Sequence, residues 1–410
     1  MKRRDFLLGS TGLISATKLS LGATPCPSGS LSVTGGTSTF TTCGTTPSWF
    51  ASMPDKTWAT PVNNTLNAVK PSNVYGNHAA ICSAWTGGTV DQERGEFTLA
   101  ANGGHADYGG NEVYVCNLRT NSPSWQRASN PSIPDSGTLG TNTKGAYSDG
   151  RPSAVHGWNR CTSGNGRIWY PGLDAEYPNP YWSLACWSFD RKTNDWTFHG
   201  IPPNNTGGSF NWQAGIGSYD RMTKTVWSIC GYATQDGGYS YNTETNTFKV
   251  MPWYCPNNFG GGWGVIAHDL RVWILYSPQA DSIFVLPLDT FDPSSDKPFS
   301  RPTISGNNTI SGSGIGAVYH QPSRSVLLWN GQGANIRKLA IPSNPLTGTY
   351  VWSDVSPSAS NTIIPSAAQV NGTYGRFNLV EDMGNGQSAL CLINSTTEPV
   401  YIYKLPTSGV

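Results

Sequence analysis

From residue 102 to 114 the chain reads Asn-Gly-Gly-His-Ala-Asp-Tyr-Gly-Gly-Asn-Glu-Val-Tyr, which sets His105, Asp107 and Tyr108 between two Gly-Gly pairs. Paired glycines let the backbone turn tightly, and an imidazole, a carboxylate and a phenol held together there can take, orient and return a proton. The simpler reading is that these side chains only hydrogen-bond a glycine corner. A second stretch, Ser148 to Trp158, brings Asp149, Arg151 and His156. His156 with Tyr108 would supply a base and a second proton-transfer group, and a guanidinium such as that of Arg376 or Arg151 would hold a carboxylate. A pair of carboxylates flanking a glycosidic bond is the alternative, and Asp107 with Glu112 or Asp149 is the available pairing.

What positions these residues is a repeat. An apolar strand, an Asp-containing turn, a second strand, a glycine corner and two further strands recur at about 40 to 60 residues. The clearest copy starts at Gln213 and Ala214, runs to Asp220, continues through Thr225 to Gly231 and Gly238 to Asn242, and ends at Thr247 to Val250. Copies follow from Gly264 and from Ile315, and two lie upstream, from Phe97 to Arg127 and from Arg167 to Phe198. Four short strands per unit with glycines at the corners describe the blade of an all-β propeller. A sixth unit, from Arg376 to Leu405, stops after three strands, and an open edge invites association. Lys56 to Thr60 is the expected fourth strand, closing a six-bladed ring; seven blades is the alternative if two units are merged.

The turns Phe189 to Trp196 and Tyr241 to Phe248 repeat a pattern of strand, polar hairpin turn and aromatic. This resembles the blades of the kelch and galactose-oxidase-like propellers over about residues 70 to 405, a likeness that implies fold and is nearly silent on chemistry. The copper site of galactose-oxidase-like proteins, with its cysteine-linked tyrosine, cannot be placed in this chain.

Residues repeated in every blade read as scaffold. Asp91, Asp220 and Asp269 recur at the first turn, where aspartate caps backbone amides; His268 and His320 share that turn, and His199 follows an outer strand. Aligning the first strands places His78, His156, Gln213, Trp263 and Arg376 toward one mouth of the channel. The expected catalytic set is therefore His105, Tyr108, His156 and Arg376, and the expected substrate contacts are His78, Asp107, Asn111, Arg151 and Trp263. His105, Asp107 and His156 offer metal donors without a diagnostic spacing, so no cofactor is assigned and a divalent metal stays open.

Composition narrows the classes. Charged residues make up 12% of the 410, with a formal net charge of +1, which gives nucleic acid no basic surface to meet. Arg3 and Arg4 precede an apolar stretch from Leu7 to Ile14, and Gly22-Ala23 follow. This resembles a twin-arginine export signal over residues 1–23, followed by a linker over 24–50 and the propeller over 51–410. The expected location is periplasmic or secreted, and no other stretch is apolar for long enough to insert in a membrane. Nine cysteines include no Cys-x-x-Cys pair, which removes zinc-ribbon and thioredoxin readings, and Cys26 with Cys43 is the disulfide that an oxidising compartment would allow.

An exported, aromatic-rich and weakly charged ring suits sugar faces. The expected function is a carbohydrate-active enzyme, a monomer cleaving an acidic polysaccharide by His/Tyr acid-base elimination. The set is similar in residue type and fold to propeller lyases of the ulvan and oligogalacturonate kinds, with no shared motif. The alternative is a kelch-like module that binds glycan or protein without catalysis.

Overall fold

The computed structural model describes residues 32–34, 37–39, 45–132, 145–173, 177, 183–203, 214–231, 237–251, 259–292, 299–306, 314–384, 386–407 and 410. The export-signal reading of residues 1–23, the Cys26–Cys43 pairing and Gln213 lie outside them. Six antiparallel sheets form the ring, numbered here as blades in chain order. Blade 1 is Thr89–Asp91, Glu96–Ala100, Val113–Asn117 and Trp125–Ser129; blade 2 is Thr162–Gly164, Arg167–Leu173, Ser183–Asp190 and Asp195–Gly200. Blade 3 is Ile216–Asp220, Thr225–Ile229, Gly238–Asn242 and Thr247–Met251. In blade 4, Trp263–Ala267, Val272–Ser277 and Ser282–Pro287 receive a fourth partner at Ser300, whose backbone exchanges two hydrogen bonds with Val285.

Blade 5, Gly316–His320 to Tyr350–Val355, carries an added parallel edge, Ile304–Gly306. Blade 6 takes Phe377–Val380, Ala389–Leu392 and Tyr401–Lys404, then Trp58–Ala59 from the start of the chain. Tyr403 pairs with Trp58 and Ile402 with Ala59, so the closing strand falls where the open sixth unit requires one. Buried Lys404 donates to the carbonyls of Phe50 and Met53 and fastens the entering segment. The innermost strands touch their neighbours all the way round, blade 6 to blade 1 included.

The strand sequences account for this. Val, Ile, Trp, Tyr and Phe fill both faces of the inner strands, because each blade packs between two others, as in Val226, Trp227 and Ile229. The outermost strand of blade 3, Thr247–Met251, alternates exposed and half-buried residues. Asn194 and Asn246 adopt the left-handed conformation in the turns that close the last hairpins of blades 2 and 3, a conformation asparagine tolerates.

The first turns of the blades meet at one end of the channel. Asp91 caps the amides of Glu93 and Arg94, and Asp220 caps that of Met222, as expected of turn aspartates. Asp220 also accepts two bonds from Arg271 of blade 4, each 2.9 Å, while Arg191 of blade 2 holds Glu96 of blade 1. Arg221 follows the first strand of blade 3 and Glu381 that of blade 6, so the two come from opposite sides of the ring. Their guanidinium and carboxylate meet at 2.7 Å, across the channel floor.

Candidate functional site

The opposite mouth is built from segments that precede the first strands and from the corner between the second and third strands of blade 1. In that corner Gly103 has φ 144°, and a Cβ there would stand 2.5 Å from the Tyr108 carbonyl oxygen, so only glycine lets the loop fold back. Asn102 pairs with Val155, Tyr108 bridges to Gly104 and Gly76, and the Asp107 carbonyl accepts from Asn77. The loop tip thereby carries Asp107 and His105 toward His156, which enters from the blade 1 to blade 2 connection.

His156 Nε2 donates to Asp107 Oδ2 at 2.9 Å. A carboxylate only accepts, so Nε2 carries the proton and the Nδ1 lone pair is left free of any hydrogen bond among the described residues. The His156 side chain is 5% exposed whereas that of Asp107 is 43% exposed, so the pair reaches from the interior to the surface. Burial pushes the His156 imidazole below its ordinary range; the Asp107 hydrogen bond and charge pull it up, and His105 adds to the lowering. His156 is thus a neutral base near pH 7. The His105 ring, exposed on the loop tip, faces it edge-on at 6.2 Å between centroids.

Two tryptophans complete the mouth. Trp85 lies 5.0 Å from the His156 ring and 5.7 Å from Trp158, tilted 34° to it, and the Trp158 amide donates to the Trp85 carbonyl. Tyr374 packs edge-on against Trp158 at 5.4 Å. His105, Trp158 and Tyr374 all have positive φ, at 33°, 46° and 48°. Most other non-glycine residues in that region sit in hairpin turns, so three strained aromatic positions converging on one mouth mark a site the fold over-determines.

The other expected site residues are placed differently. Tyr108 is buried, its hydroxyl on Glu112 Oε1 at 2.8 Å, which keeps that phenol out of the mouth. His78 is half-buried behind it and bonds Tyr114 at 2.9 Å. Asn111 is buried and binds the Pro152 carbonyl and Ser132, tying two loops together. Arg376 is fully buried, its guanidinium on the carbonyls of Thr86, Ile393 and Gly372, and so faces no carboxylate at the mouth. Arg151 meets Asp195 at 3.5 Å and the Asn130 carbonyl at the outer seam of blades 1 and 2. Trp263 is core, stacked on Tyr276 at 5.5 Å. Asp149 accepts from Ser132, and Glu112 lies behind Tyr108, so neither stands with Asp107 as a second carboxylate.

No family model matches the chain, and no curated protein does. Among solved structures, one titled "Structure of YjhT" aligns with a TM-score of 0.43 at 10% identity, over 77% of this chain and 97% of that one.

Of the three histidines expected to be structural, His268 is largely buried, with Nδ1 3.7 Å from Asp220 Oδ1. His199 bonds Ser188 and Tyr241 at the seam of blades 2 and 3, and His320 bonds Ser323 within its own turn. Cys82, Cys116, Cys161, Cys186, Cys230 and Cys391 are buried as small apolar groups; Cys116, Cys186 and Cys391 lie in strands, whereas Cys82, expected in a strand-like run, sits in the short helix Ala80–Ser83. No group of three or more His, Cys, Asp or Glu side chains converges as a metal site among the described residues. Sequence reasoning missed Trp85 and Trp158. A signal for them exists: each stands four residues ahead of a first strand, at Thr89 and at Thr162.

Proposed function

We propose that this chain is an exported carbohydrate-active enzyme that cleaves an acidic polysaccharide by elimination at this mouth. The observation that carries the reading is the Asp107-held His156 facing His105 beside the Trp85 and Trp158 rings. Tryptophan faces of this kind stack on the apolar face of a pyranose. Nδ1 of His156 takes the proton next to a uronate carboxyl group, the bond from the neighbouring carbon to the glycosidic oxygen breaks, and a carbon–carbon double bond forms. His105 in its charged form gives the departing oxygen a proton, the role first expected of Tyr108. Hydrolysis is the weaker reading, because Asp107 is the single carboxylate brought to the mouth by the expected pairings and it is already bound to His156.

The test is to incubate the purified protein with acidic and neutral polysaccharides and follow both unsaturated-uronate absorbance and reducing ends. His105→Ala and His156→Ala should each cut turnover by about 10²-fold or more, with the thermal transition unchanged. Reducing ends without unsaturation would replace elimination with hydrolysis. Silence on every polymer with binding retained would leave a glycan-binding module.

A further inference from the structure

Behind the mouth lies a hydrogen-bonded unit built around buried Glu112, Tyr108 and Tyr114. Glu112 is 2% exposed, yet its Oε1 accepts both the Tyr108 and the Tyr114 hydroxyl, each at 2.8 Å. Because Tyr114 donates to Glu112, its oxygen accepts from His78 Nε2, and the chain of bonds ends at His78. Glu112 Oε2 is buried with no hydrogen-bond partner among the described residues, and a Cβ at Gly110 would stand 2.2 Å from it. A buried carboxyl group with one idle oxygen costs free energy, so the fold retains it against a gradient.

The two phenols differ in what they hold. Tyr114 belongs to the third strand of blade 1, paired on both sides, and needs no anchor. Tyr108 belongs to the loop whose tip carries His105 and Asp107. Its backbone bonds reach Gly104 and the flanking segment at Gly76, and its hydroxyl donates to Glu112. Through that bond the strand end fixes the loop, and the loop fixes Asp107 against His156.

We propose that Glu112 is the positioning residue of this mouth: through Tyr108 it holds the 103–110 loop so that Asp107 stays hydrogen-bonded to His156. The geometric claim stands on the described contacts, and its consequence for turnover rests on the proposed elimination. The groups facing His156 are Asp107, His105, Trp85 and Trp158, so its titration reports whether Asp107 is in place.

The experiment follows the His156 imidazole by NMR titration of the full chain, with Asp107→Asn as the benchmark for a lost partner. Glu112→Ala and Tyr108→Phe should each shift the midpoint down, as Asp107→Asn does, by about half a pH unit or more. Glu112→Gln, which keeps an acceptor for the phenols, and Tyr114→Phe, which removes the strand's phenol, should leave it in place. A folded Glu112→Ala chain whose His156 titrates as in the wild type overturns the proposal. If that variant does not fold, Tyr108→Phe decides in the same way. Because the readout needs no substrate, a chain inactive on every polymer overturns the elimination reading and leaves this one to be judged by the titration.

Discussion

Asp107 and His156 meet at 2.9 Å although one comes from a corner inside blade 1 and the other from the connection that leaves it. The contact is therefore tertiary, and it opposes the effect of burial on the imidazole. Burial disfavours the imidazolium and is the larger influence, while Asp107 partly offsets it.

The sign of the Asp107 effect follows from that balance. Removing the carboxylate removes the influence that raises the His156 pKa, so the midpoint should fall further below the ordinary imidazole range in Asp107→Asn. Activity that needs the neutral base would then rise through a limb at lower pH. Turnover should nonetheless drop by about 10²-fold or more, because the orientation of the ring is lost. An Asp107→Asn chain with an unmoved or raised midpoint would sink this account.

The ring was legible in the sequence because a propeller repeats its instructions. The recurring four-strand unit, polar hairpins such as Asp190 to Asp195, and an unpaired sixth unit each constrain the same architecture. His105, Asp107 and His156 were legible because they occupy positions that do not repeat. Arg376 shows where strand alignment runs out: its backbone is near the mouth, but its side chain turns inward to satisfy three carbonyls. Trp263 was misplaced for a related reason, since alignment cannot tell a channel-facing side chain from one stacked on its own blade. Trp85 and Trp158 were hidden by abundance; in a chain with 16 tryptophans, most of them buried in strands, the type alone singles out none.

The closing strand is held chiefly by the packing of one buried tryptophan. Trp58 is 3% exposed, packs its ring at 5.1 Å from Tyr403, and donates its indole N–H to the Ala334 carbonyl. Trp58→Ala should cost about 3–5 kcal/mol, since it opens a cavity and loosens the strand that seals the ring. Trp58→Phe, which keeps most of the packing and loses the indole donor, should cost far less, about 1 kcal/mol. Urea unfolding of both variants checks this, and equal losses would mean that the hydrogen bond, and not the packing, closes the ring.

Acid should weaken the fold through histidines that the site does not use. His78, His199 and His320 are each held down to about 4, chiefly by burial, with nearby cations adding to it: Lys70 and Arg127 at His78, Arg167 at His199. For His320 the Glu381 charge opposes the lowering and Lys338 adds to it. In the unfolded chain these imidazoles bind protons near pH 6.5, so between about 6.5 and 4 the unfolded state holds more protons than the folded one. Their contribution is fully present above pH 6.5 and is lost as pH falls toward 4, at no more than about 1.4 kcal/mol per pH unit for each imidazole, less where solvent screens the half-buried ones. Carboxylates also titrate at the lower end, so the comparison that isolates the histidines is a chain carrying His78→Gln, His199→Gln and His320→Gln. Thermal transitions of the wild type should fall steeply from pH 6.5 to 4.5, and those of the triple variant should fall much less. Parallel curves would show that the acid sensitivity belongs to other groups.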